Sequence, residues 1–382
     1  MQTVGQKEPV VSDFLTSQAI TSPQPDLNSW SACKKWSFNT HAHISYVSLS
    51  ADGQKVLVGT SSERGPNQAR IRLMNFKGKT LWSRMLAQPV KAQTISKKGD
   101  LLAVNTYNDT LLLYNSSRRL LWKKSHLGRP GFSSDRQLVF FNDDDADPKT
   151  AFITYGLKGN SIFTFKTIGE MIDAVFSNDR NYIVVLEKKG QAYLSDIVGK
   201  KRIPVRYEGE AISAGAEGSL ENSKFAILST KNGAQILSFY ERANLIWSLP
   251  LDFHYESIHI HNNLIYLYGN VSKSQVVSAF STQTKTKVWT IGYKTPANYS
   301  SPSYISKSIF SILLDSGKEP GTLHLYGITQ DGKTKFDIPI HSDEGVYSFD
   351  VDGHYAVIGY GPSHSGVVTL YDLSCGRDED DF

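Results

Sequence analysis

The chain has 382 residues, 40% hydrophobic and 20% charged, with a net charge of +4 and a pI near 8.7. That composition excludes a disordered or collagen-like chain, and so mild a positive balance argues against a nucleic-acid-binding protein. No apolar run reaches about eighteen residues, so no membrane-spanning helix is expected.

Residues 1–31 are polar, include Pro9, Pro23 and Pro25, and show no sustained period. They read as a flexible N-terminal tail, of a kind that can tether a domain to an anchor. A basic start, an apolar stretch and a small-residue cleavage site are not seen, so an exported protein would look like this only in mature form. Cys33 follows, and then Lys34-Lys35-Trp36-Ser37-Phe38, a short strand with no partner nearby in sequence.

From there a unit recurs: a strand, a turn, and a short strand carrying an aromatic. It reads LMNFKGKTLW ending at Trp82, LLLYNSSRRLLW at Trp122 and ITYGLKGNSIF at Phe163. It continues as AYLSDIVGKKRI at Ile203, ILSFYERANLIW at Trp247, VVSAFSTQTKTKVW at Trp289 and LHLYGITQDGKTKF at Phe336. With Trp36 the anchors are roughly 40–47 residues apart, the period of a four-stranded propeller blade. A polar turn before an apolar strand gives a second count, at Ser50, Ser96, Ser133, Ser177, Leu220, His261, Ile305 and Val351. Turn residues followed by an apolar run suit a strand buried on both faces. Both counts give eight, so the fold class expected is an all-β, eight-bladed β-propeller of four-stranded antiparallel blades spanning 32–376.

One four-stranded sheet cannot bury both faces, whereas sheets stacked radially cover one another. Trp36, Trp82, Trp122, Phe163, Trp247, Trp289 and Phe336 would then fill the wedges between blades. Burying each contributes about 1.5–3 kcal/mol.

Asp143, Asp145 and Asp147 alternate as at the start of a calcium loop. Calcium also wants a glycine turn and a later carboxylate. Pro148 follows instead, so a solvated acidic turn is the simpler reading. His259 and His261 share one face of an expected innermost strand, and His41 and His43 have the same spacing. Zinc needs three or four convergent ligands, and these pairs fall in different blades, so polar lining is the simpler reading. Metal ligands, catalytic motifs and cofactors are therefore not assigned.

The last copy has strands near 345–351, 354–360 and 367–373 and lacks a fourth. The strand at Trp36 fits that place, closing the ring. Aligning LMNFKGKTLW with the seam overlays Leu370 through Cys375 on Leu73 through Gly78, and Cys33 through Trp36 on Lys79 through Trp82. Cys33 and Cys375 then become neighbours within disulfide range, about 4.4–6.8 Å between α-carbons. The bond would stabilise by roughly 4–5 kcal/mol and implies an oxidising compartment. The end of the sequence, 377–382, reads as an acidic tail.

The strand, turn and terminal tryptophan resemble the tryptophan-docking repeat of quinoprotein-like propellers, best at Ala279 to Trp289 and Asn75 to Trp82. The likeness extends over about nine tenths of the chain, with each motif degenerate. The absence of a vicinal cysteine pair and of long insertions is similar to the non-catalytic branch, which includes the propeller lipoprotein of the outer-membrane β-barrel assembly machinery. That resemblance implies a non-enzymatic scaffold binding a protein or peptide on one propeller face, in the periplasm or outside the cell. The alternative is a propeller enzyme, a quinoprotein-type dehydrogenase or a hydrolase/lyase, with its site in the central funnel.

Overall fold

The computed structural model describes residues 32–375 apart from segments at 62–68, 126–127, 136, 142–149, 272–273, 294–301, 307–308, 316–321, 342–345, 353 and 362–364. The described strands form six four-stranded antiparallel sheets and one of seven strands. The seven-stranded sheet contains the long strand Arg202–Glu217. Its first part, through Arg206, pairs with residues 191–195, and its second, Glu210 onward, pairs with residues 224–230, with Lys189 alone reaching Glu210 from the other side. Register therefore divides this sheet into two four-strand units that share one strand. The result is a propeller whose units fit eight blades: 43–86, 90–125, 129–166, 171–206, 210–250, 254–293, 302–341, and 346–372 completed by 33–39.

Within each unit the strands are called a to d from the axis outward. Strand b is the most apolar because both its faces are covered. Leu101–Thr106 and Tyr182–Glu187 are buried at every position. The turn before it is made by a serine. The Ser50 hydroxyl donates to the Asp52 carboxylate at 2.6 Å and accepts from Lys55 N at 2.9 Å. Ser96 repeats this with Asp100 and Leu101, and Ser177 with Asp179 and Tyr182. These local side-chain bonds satisfy the tight turn without help from the core.

Eight apolar clusters hold the units together, and each straddles a pair of neighbours. Leu57, Ile71 and Leu73 of the first unit meet Val104 and Tyr114 of the second. At the seam, Ile44, Val56 and Met74 meet Val357, Val368 and Leu370. Among the described residues an apolar cluster lies between every pair of neighbouring units, which is what ring closure achieves.

Strand d of the last unit is Cys33–Asn39, paired antiparallel with Val367–Asp372. Trp36 lies opposite Leu370 and Lys34 opposite Tyr371, leaving Lys35 as an extra residue. In the first unit Trp82 lies opposite Leu73 and Thr80 opposite Met74, leaving Leu81 extra in the same way. The seam is thus an ordinary blade cut in one turn. Cys33 and Cys375 are disulfide-bonded, with α-carbons 5.6 Å apart and a sequence separation of 342. Lys35 and Asp372 add an ion pair at 2.9 Å.

Candidate functional site

The aromatic residues anticipated from the repeat sit on strand d, each one residue after a β-bulge. The bulged residue turns outward and the aromatic turns toward the next unit. Trp36 Nε1 donates to Phe76 O at 2.7 Å, Trp82 to Ser116 O at 2.8 Å, Trp247 to Thr282 O at 2.9 Å and Trp289 to Gln330 O at 2.8 Å. Every acceptor lies in the c–d turn of the following unit. The Trp82 ring also packs on Tyr114, and the Trp122 ring on Tyr155. Gly78, Gly159 and Gly332 lie flat beneath Trp36, Trp122 and Trp289, at positive φ. A Cβ there would come within about 2.7–2.9 Å of an indole. Phe163 meets Gly199 in the same way, and Phe336 is buried among Val351, Ala356 and Ile358. These contacts all run between strand d of one unit and the c–d turn or strands of the next.

The segment containing Asp143, Asp145 and Asp147 lies outside the described residues. His43 Nδ1 lies 3.2 Å from the Ser61 hydroxyl, while His41 is exposed at a turn with φ of 52°. His259 and His261 lie on strand a of the sixth unit, against the end of Arg202–Glu217. His261 Nδ1 is 3.4 Å from the Glu217 carboxylate, which also accepts from Asn262 N at 3.0 Å. Burial opposes the charge on Glu217, but His261 and Asn262 overcome it and hold the carboxyl below its usual pKa. Burial pushes His259 down to about 3, with His261 adding to the effect. Among the described residues no group of three His, Cys, Asp or Glu is placed to hold a metal.

The antiparallel meander puts all a–b and c–d turns at one end of the ring, the turn face. The b–c and d–a connections lie at the other, the loop face. At the loop-face end of strand a the ladder carries an extra residue in unit after unit: Ser45, Lys91, Ile172, Ile212 and Glu256. Such bulges re-aim side chains: Lys91 pairs with Asp109 at 3.6 Å, and Ile212 packs on the cluster between the fifth and sixth units. Beside Ile172, which is exposed, the loop from Lys166 to Met171 displays Ile168, 79% exposed. Its backbone is fixed from below. Ile168 N donates to the buried Glu187 carboxylate at 2.8 Å, and the Thr167 hydroxyl donates to Gly169 O at 2.8 Å. Lys188 N donates to Glu170 O at 2.9 Å. Tyr107, 64% exposed, tips the b–c turn of the second unit, its own N bonded to Pro89 O.

Sequence reasoning missed this rim because a bulge leaves no mark on hydropathy alternation. It also missed the buried amides that staple units together. Gln235 Nε2 donates to Tyr255 O at 2.8 Å while its Oε1 accepts from Tyr255 N at 2.7 Å. Asn105 Nδ2 reaches Gly128 O at 2.8 Å. An amide within an otherwise apolar strand was the available signal.

No protein-family model matches the chain, and no curated protein sequence does. Solved structures share the architecture. The chain is similar to BamB from Moraxella catarrhalis, with a TM-score of 0.62 and 13% identity over 90% of this chain and 100% of that one. It is similar to Sqt1 from Chaetomium thermophilum, with a TM-score of 0.63 and 11% identity over 90% and 100%. The Dos1 propeller matches with a TM-score of 0.59 and 10% identity, covering 94% and 96%. At these identities the likeness is one of fold.

Proposed function

We propose that this chain is a non-enzymatic protein-binding scaffold of the periplasm or the extracellular space, engaging a protein or peptide at the loop face. The observation that carries the reading is Ile168: an aliphatic side chain 79% exposed, on backbone tied to a buried carboxylate. A fixed loop presenting an apolar group, beside exposed Ile172, loses little conformational entropy on binding. The rigid ring behind it supports such a display. The Cys33–Cys375 bond supports an oxidising compartment. Docking of indoles on the next unit's turn supports kinship with the quinoprotein-like propellers, and the lack of a vicinal cysteine pair supports their non-catalytic branch. Residues 1–31 and 377–382 are tails in this reading, the first a candidate tether.

The test is mild crosslinking and pull-down from envelope extract with wild type and an Ile168→Asp/Tyr107→Asp variant. A specific partner captured by wild type and lost by the variant is expected. Identical captures from both would remove the loop face from the proposal.

A further inference from the structure

The turn face has a different chemistry. Its inner ring, the a–b turns, mixes charges: Asp52, Asp100 and Asp179 each accept a serine hydroxyl, while Lys97 and Lys98 are exposed beside Asp100 and Arg180 follows Asp179. Its outer ring, the c–d turns, is basic. Lys77, Lys79, Arg118, Arg119, Lys158 and Lys200 are exposed there in four successive units. The same turns carry apolar side chains in water. Phe76 is 37% and Leu157 51% exposed. Leu81 and Ile162, bulged residues at the start of strand d, are exposed beside them. Hydrogen bonds fix the turns, with Phe76 N donating to Gln54 O at 3.0 Å and Ser116 N to Asp100 O at 2.9 Å.

We infer that the perimeter of the turn face, over the first four units, docks on a bilayer surface bearing anionic headgroups. Charge complementarity selects an anionic partner, and the apolar residues select which kind. A nucleic acid or an acidic polypeptide rewards cations and stackable rings, but Leu81, Leu157 and Ile162 offer neither. A lipid surface takes both components: headgroups meet the cations while aliphatic side chains leave water at the acyl boundary. A bilayer is also broad enough to meet four turns spread along an arc. The seam supports the orientation. Cys33 sits in the c–d turn of the last unit, and Trp36 donates to Phe76 O next door. The backbone therefore enters the propeller on this same face.

The experiment is co-sedimentation of the full chain with phosphatidylcholine vesicles, with and without phosphatidylglycerol, at low and high salt. Binding to the anionic vesicles alone, weakened by salt, is expected. Each cation near such a surface contributes roughly fivefold, so Lys77→Glu/Lys79→Glu/Arg118→Glu/Arg119→Glu lowers the partition coefficient at least about tenfold. Leu157→Ser/Ile162→Ser lowers it severalfold with the charges intact, and thermal melts report that both variants fold. Ile168→Asp leaves vesicle binding unchanged, which separates this surface from the proposed partner site. Failure to sediment with anionic vesicles, or equal sedimentation with neutral ones, overturns the inference. So does vesicle binding insensitive to the aliphatic pair, or preferential binding of RNA or polyglutamate, which points to a soluble polyanion.

Discussion

Trp247 does two things with one side chain. Only 6% exposed, it fills the gap beside Phe239, and its N–H satisfies Thr282 O in the next unit. Trp247→Ala is expected to cost about 3–5 kcal/mol. Trp247→Phe keeps most of the volume, strands a buried carbonyl and costs about 1–3 kcal/mol. Urea unfolding separates the two, and equal losses would mean that the hydrogen bond contributes nothing. The period of the aromatic residues disclosed this position; the acceptor depends on a neighbouring unit and was not readable. His259 makes the opposite case. Alternation placed it on a strand face, but its burial comes from Gly215, whose missing Cβ lets the strands approach. A Cβ there would sit 3.1 Å from the His259 Cα. With a folded pKa of about 3 against about 6.5 unfolded, the unfolded chain binds the extra proton between those values. This contribution is therefore complete above about pH 6.5 and is lost as pH falls, by about 1.4 kcal/mol per pH unit. His259→Phe should flatten the stability curve between about pH 6.5 and 4. An unchanged slope in denaturation series across that range would refute the assignment.

Strands were legible where their chemistry is local. Alternation, serine turns and aromatic spacing placed the seam strand and the three before it within a residue or two of where they lie. The disulfide pairing was accessible because an intact blade served as ruler for the cut one. Two features were not accessible. The strand Arg202–Glu217 runs through what the repeat marks as a boundary, although Gly209, with φ of 86°, stands where one unit passes to the next and reads in sequence as a break. The bulges depend on register, which sequence sets only through partners elsewhere. At this scale the glycine platforms give a sharp expectation. Gly159 has φ of +81° and lies under Trp122, so Gly159→Val combines backbone strain with a clash and should cost about 2–3 kcal/mol or more. Cys33→Ser/Cys375→Ser should lower stability by about 4–5 kcal/mol in the chain-entropy picture while leaving the strand pairing in place. Calorimetry in oxidising and reducing buffer reads this directly. Wild type that melts identically in both buffers would show that the bond constrains nothing.

At the scale of the molecule, eight clusters and a shared last sheet make the ring one cooperative body. That follows from the repeat count, because any open end would expose an apolar sheet face. The uses of the two ends of the ring did not follow from it. Turn lysines look alike in sequence whether they scatter or form an arc, and only the meander brings them to one side. Closure also has a consequence in time. Cys33–Asn39 is among the first strands to be made and the last to find its partner, the bonded cysteines having a sequence separation of 342. At about 5–20 residues per second it waits roughly 20–70 s as an unpaired edge. In that interval it is open to a wrong partner, including a second nascent chain. A circular permutant carrying residues 33–39 after Cys375 abolishes the wait. It should refold faster and aggregate less than wild type while reaching the same final stability, as stopped-flow fluorescence and light scattering will show. Equal refolding rates would place the slow step of refolding elsewhere, and equal aggregation during cell-free synthesis would mean that the order in which the two ends are born does not matter to the ring.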